Sequence, residues 1–91
     1  MKMENRITNI SKGENDKMSY SDLIKIVVNT PIPQGMTIAD MKVRMDIMEQ
    51  CDTGMDFTAS QITELKTFCA SQKWNIVSRD LIEFSDYIES F

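Results

Sequence analysis

The sequence predicts a mainly α fold, a small bundle of three to four helices over residues 19–91 behind a disordered N-terminal arm at residues 1–18. Three observations carry this. Apolar residues recur at helical spacing in successive segments, helix-start patterns stand at Ser19, Thr37, Thr58 and Ser78, and Pro31, Pro33, Gly35 and Gly54 fall between those segments. A chain of 91 residues, 42% hydrophobic and 26% charged, is one globular domain's worth. Without its arm it lies near the lower size limit for independent folding, so marginal stability or help from a partner is expected.

Residues 1–18 are mostly Lys, Glu, Asn, Asp, Ser and Gly, with Ile7, Ile10 and the methionines as the only apolar members. Locally they offer too little burial to offset the entropy of ordering, so a flexible arm is expected. Met18, where the composition changes, is a candidate alternative translation start. Ser19 and Asp22 then make a capping-box pattern, followed by Tyr20, Leu23, Ile24, Val27 and Val28 at i, i+3, i+4, i+7, i+8. This predicts a helix. The β-branched Ile24, Ile26, Val27 and Val28 leave a strand over residues 20–29 as the alternative, which would make the fold α+β. Asn29 to Gly35, with two prolines, ends the element and forms a rigid, extended connector.

Thr37 and Asp40 open a second helix expected to reach Gln50 or Cys51. Its apolar residues form two sets: Ile38, Met41, Met45 and Met48 share one arc, while Ala39, Val43 and Ile47 step along the opposite side. Such a helix is either central or turns one face to the core and the other to a partner. After a loop at Cys51 to Asp56, Thr58 and Gln61 form a capping box and Phe57 and Ile62 a hydrophobic staple. Ile62, Leu65, Phe68 and Cys69 mark the buried stripe, Lys66 and Lys73 fall in the later turns, and an end is expected near Gln72 or Lys73. Trp74 to Val77 link to a last helix capped by Ser78, with Val77 and Ile82 spaced for a second staple and Asp80 in the first turn. Leu81, Phe84, Ile88 and Phe91 face inward, and Glu83, Asp86 and Glu89 face water.

The chain has no histidine, which removes the usual general base near neutral pH and the commonest transition-metal ligand. Cys51 sits near a helix C-terminus and Cys69 on an apolar stripe, so both read as structural, reduced thiols. Asp52-Thr53-Gly54 matches the aspartic-protease triplet, but it follows a helical pattern instead of an apolar strand and reads as a loop. The stretch lacks the alternating oxygen ligands of a calcium loop, and Gly35 and Gly54 are isolated from any phosphate-binding motif. Net charge of −4 and a pI near 4.6 argue against gathering nucleic-acid phosphates. Asp80 and Glu83 would oppose docking of the last helix on DNA. No apolar run approaches a membrane span and the N-terminus lacks the apolar core of a signal peptide, so a cytoplasmic location is expected, with no cofactor.

Asn29-Thr-Pro-Ile-Pro-Gln-Gly-Met-Thr37, followed by Met41, Arg44 and Met45, resembles a pattern in short uncharacterised proteins of tailed bacteriophages, and the similarity extends towards Trp74 to Val77. The resemblance implies a small viral accessory product and brings no activity or functional residue with it. The resulting expectation is a non-enzymatic protein-interaction module that binds a host or viral protein. Its contact candidates are Val43, Ile47, Met41, Met45 and Met48 on the second helix and Asp80, Glu83, Asp86 and Glu89 on the last. The alternative is a homo-oligomeric virion or assembly component in which the spare face of the second helix is buried between copies.

Overall fold

All four helix starts fall where the capping residues place them. The computed structural model describes residues 1–91, with strands β1 (Ile7–Gly13) and β2 (Asp16–Ser19) followed by helices α1 (Tyr20–Asn29), α2 (Ile38–Asp52), α3 (Ala59–Ser71) and α4 (Arg79–Glu89). Full reciprocal capping boxes form at Ser19/Asp22 and at Thr58/Gln61. In the second, the Gln61 backbone N–H donates to Thr58 Oγ1 at 3.1 Å and the Thr58 N–H donates to Gln61 Oε1 at 2.9 Å. At α2 the Asp40 N–H donates to Thr37 Oγ1 at 3.1 Å. Ser78 is the exception: it occupies the N-cap position of α4, but its hydroxyl caps nothing.

Residues 20–29 are helix. Tyr20, Leu23, Ile24, Val27 and Val28 are all buried, which makes α1 the central element, packed against α2, α3 and β2. The spacing outweighs β-branching here because all five positions of the apolar stripe find core partners. Thr30, just before Pro31, is extended, as proline requires of its predecessor, and its hydroxyl donates to the Ile26 carbonyl at 2.8 Å. The connector turns at Gly35, whose φ of 78° suits a residue without a Cβ.

The disordered arm and the purely helical fold are corrected by the structure: residues 7–19 form an antiparallel hairpin, and the fold is α+β. The sheet comes from this segment, not from residues 20–29. Asn15 turns the hairpin at φ 61°, in the left-handed region that asparagine tolerates. The strands register at Ile7↔Ser19, Ser11↔Lys17 and Gly13↔Asp16, which leaves surplus residues on β1 between Ile7 and Ser11. Thr8, buried within this bulge, accepts the Ile10 N–H at 3.1 Å and donates to the Met18 carbonyl at 2.8 Å. Before the hairpin the chain pairs with the α2–α3 loop through Met3 N–H to Met55 O and Phe57 N–H to Met1 O, both 3.0 Å, which seats Met3 in the core. The segment is polar on average, but Met3 is buried, and Ile10 and Met18 pack against the core. Tertiary burial supplies the stabilisation that local composition lacks.

Aromatic packing ties the hairpin end to α4. Tyr20 meets Phe84 edge-on at 5.1 Å, and Tyr87 stands 5.5 Å from Tyr20 and 5.1 Å from Phe91. The Arg6 guanidinium lies 4.3 Å from the centre of the Tyr87 ring, whose hydroxyl accepts the Glu4 N–H at 2.8 Å.

Asp22 joins the strands to α1 by charge as well. The Ser19 backbone N–H holds its carboxyl below the usual aspartate range, and the Ser19 hydroxyl and Lys12 add to this, with burial opposing. A carboxyl depressed in the folded state stabilises above its unfolded value of ~3.9 and loses that contribution as pH falls through its lower folded value. Wild type is therefore expected to lose Tm more steeply than Asp22→Asn as pH falls below about 4, measured by thermal melts. Parallel slopes for the two proteins would remove Asp22 from the acid response.

Candidate functional site

Only Ile47 and Cys51 of α2 are buried, both in its second half. The first half of the helix extends past the core, leaving Ile38 65% and Met45 52% exposed, with Met41 and Val43 also open to solvent. Arg44 sets this placement. Its Nη1 donates to the Val28 carbonyl at 2.8 Å, satisfying an acceptor at the C-terminal end of α1, and its guanidinium lies 4.1 Å over the Phe68 ring of α3. Its Nε is buried with no partner. Beside Arg44, Val28, Met36, Met41, Met45 and Met48 line a groove of about 170 Å³ between the end of α1, the connector and α2.

The five α2 candidates therefore divide. Met41 and Met45 lie exposed on the groove, and Met48 lines it half-buried while packing on the core. Val43 is open at the far side, where it borders Asp40, Glu64 and Phe68. Ile47 is corrected from contact residue to core: it is wholly buried, because the Ile47–Cys51 side is the one that faces α1 and the rest of the core. The two apolar arcs read from the sequence thus point to the groove and to the core, and Val43 falls one turn beyond the core's edge.

On α4, Glu83, Asp86 and Glu89 are exposed and take part in no ion pair. Asp80 is different. Half-buried, it accepts the Asn9 N–H of β1 at 3.2 Å, so its carboxylate caps the outer edge of the hairpin. The expected Val77/Ile82 staple does not form against the core, since Val77 is fully exposed and Ile82 is 60% exposed. Their spacing satisfies the pattern, but the linker stands off the core and gives them nothing to pack on. These two residues and Ile76 make an apolar surface beside half-buried Trp74 that the sequence reading took for a connector. The available signal was the adjacent β-branched pair Ile76-Val77 in a short linker, followed by Ile82 on α4 outside the Leu81, Phe84 and Ile88 stripe.

Asp52-Thr53-Gly54 forms the end of α2 and its C-cap, with Asp52 2.6 Å from Lys25 Nζ and Gly54 at φ 109°. Burial pushes the Cys51 thiol up to about 11 and the Cys69 thiol up to about 12, so neither is a thiolate near neutral pH. No three His, Cys, Asp or Glu side chains converge as a metal site, and no helix is long and apolar enough to cross a membrane. No protein-family model, curated protein or solved structure matches the chain.

Proposed function

We propose that this chain is a non-enzymatic protein-interaction module that engages a host or viral protein through the methionine face of α2. The observation that supports this most is the unburied first half of α2, where Ile38, Met41 and Met45 sit exposed beside a methionine-lined groove in a domain with few residues to spare for its core. Methionine is unbranched and polarizable, and a surface built from it adapts to a partner's shape at little conformational cost. The viral setting, and with it a bacterial cytoplasm, rests on the phage-like pattern of Asn29 to Thr37 with Met41, Arg44 and Met45. In the fold, Arg44 is a clamp between three helices, so that pattern fixes the platform and leaves the neighbouring methionines to make contacts.

The test is a pair of charge substitutions at exposed positions, Met41→Glu and Met45→Glu. Both proteins are expected to keep the wild-type Tm and mass, while co-purification of a specific partner from infected bacterial lysate falls at least tenfold, an effect of about 1.4 kcal/mol. A drop in mass from oligomer to monomer in light scattering would instead favour the homo-oligomeric assembly reading. Undiminished partner recovery would remove α2 as the contact surface.

A further inference from the structure

Met36, Met41, Met45 and Met48, half of the chain's eight methionines, line a single groove of about 170 Å³ between the end of α1, the connector and α2. Its remaining walls are Val28, Asn29 and Arg44. Every apolar side chain that the connector and α2 give to it is thus a methionine. Leucine or isoleucine would fill an apolar gap with better-defined rotamers, so the uniform choice points to what methionine alone adds, a thioether sulfur.

The backbone brings the four side chains to one groove. Met41, Met45 and Met48 follow each other at i+4 and i+3 and so share a face of α2, with neighbouring Cβ atoms about 5–6 Å apart. Met36 comes from the connector: the Gly35 N–H donates to the Ile32 carbonyl at 2.8 Å, closing a turn that returns the chain to the start of α2. The rotatable bonds of the unbranched side chain let the sulfurs converge from this spacing. Met36 and Met48 are half-buried and Met41 and Met45 exposed, so the donors are reachable from solvent.

The rest of the groove selects among cations. Thioethers are neutral, soft donors that favour Cu(I) over hard or borderline ions. The lining includes no carboxylate, imidazole or thiol, the groups that zinc, magnesium or calcium would require. Val28 and Asn29 stand at the C-terminal end of α1, where the helix carries partial negative charge and has no basic residue in its last turn. Arg44 is the only charged lining residue, and its guanidinium is committed to the Val28 carbonyl at 2.8 Å and to the Phe68 ring at 4.1 Å. Its remaining repulsion scales with the charge of an incoming ion, so it penalises a divalent cation more than a monovalent one. We propose that these four methionines are a thioether site for a soft monovalent cation, Cu(I) or its analogue Ag(I). The site goes beyond the protein-contact reading, since it draws on the sulfur atoms and not on the apolar area.

The probe is silver nitrate, added in chloride-free buffer to the full chain carrying carbon-13 in its methionine methyl groups. The methyl resonances of Met36, Met41, Met45 and Met48 are expected to shift together and saturate at one equivalent, while those of buried Met3 and Met55 stay in place. Cu(I) added without oxygen is expected to move the same four resonances, and Zn(II) none of them. Replacing Met41 and Met45 together by leucine, a volume-conserving change at two exposed positions, is expected to keep the wild-type Tm and weaken Ag(I) binding at least about tenfold in calorimetry. Thioethers release no proton on binding, so the affinity is expected to hold from about pH 7 to about pH 5, whereas binding to a protonated thiol would weaken about tenfold per pH unit. The proposal is overturned if the four resonances do not move, if Zn(II) moves them equally, or if the leucine pair binds Ag(I) as tightly as wild type. Loss of affinity with falling pH would overturn it too, assigning the ion to Cys51 or Cys69, whose thiols are protonated near neutral pH. The leucine pair keeps the apolar face, so a protein that loses Ag(I) and still recovers its partner separates this site from the protein contact. If Ag(I) moves nothing while Met41→Glu still loses the partner, the cation site is refuted and the protein-contact reading stands.

Discussion

A chain beginning at Met18 is expected to lose the single cooperative thermal transition of the full-length protein and to melt gradually, with only part of its helical circular dichroism retained at 25 °C. The hairpin and the strand-like segment before it are bound to the helices at many points. Removing residues 1–17 takes Met3 out of the core and uncovers Tyr20, Met55 and Phe57, all buried in the intact protein. It also removes the Arg6 carbonyl that accepts the Tyr20 N–H at 2.8 Å, the Asn5 Oδ1 that accepts the Ser21 N–H at 2.9 Å, and the Arg6 cation over Tyr87. Truncation of one buried methionine to alanine costs about 2–5 kcal/mol, and the whole stability of a typical domain is about 5–15 kcal/mol. For a domain this small the loss of Met3 together with its neighbours' cover exceeds what the helices alone hold in reserve. Urea unfolding checks this: a truncated protein that kept a sharp two-state transition with a midpoint near the full-length value would show the hairpin to be an accessory.

The distinction between what was legible in the sequence and what was not follows the range of the interactions. Helix starts at Ser19, Thr37 and Thr58 depend on side chains three residues away, so the local pattern contains the whole cause. The hairpin's anchors lie elsewhere in the chain: Glu4 bonds Tyr87, Asn9 bonds Asp80, and Met3 pairs with the loop at Met55. No window of residues 1–18 displays them. The turn at Asn15 was present as a local signal, but a two-stranded hairpin is marginal without a surface to pack on, and that surface is assembled by α1 and α4. Ser78, Val77 and Ile82 show the reverse failure. Their spacing fits a cap and staple, yet the linker's distance from the core leaves the hydroxyl unused and the two apolar side chains exposed. For α2 the sequence displayed both apolar arcs but not which one the core would take, because the choice is made by α1 and by Arg44 reaching the Val28 carbonyl.

That choice has a large and testable consequence along a single helix. Ile47→Ala is expected to lower stability by about 2–5 kcal/mol, since the side chain is wholly buried and its removal leaves a cavity that neighbours fill only in part. Val43→Ala, one turn earlier on the same side but 37% exposed, is expected to cost well under half of that, and Met45→Ala to stay within roughly 0.5 kcal/mol. A glutamate at Ile47 would bury an unpaired carboxylate and unfold the domain, so a loss of binding or assembly in that protein would report on folding and not on contact. Charge at Met41 or Met45 carries no such ambiguity, as both side chains already meet water. Denaturant titrations of Ile47→Ala, Val43→Ala and Met45→Ala therefore locate the boundary between core and free surface on α2. Equal losses at Val43 and Ile47 would extend the core by a turn and leave the groove methionines as the helix's only open apolar face. A loss at Met45 matching that at Ile47 would close that face too and remove the basis for binding through α2.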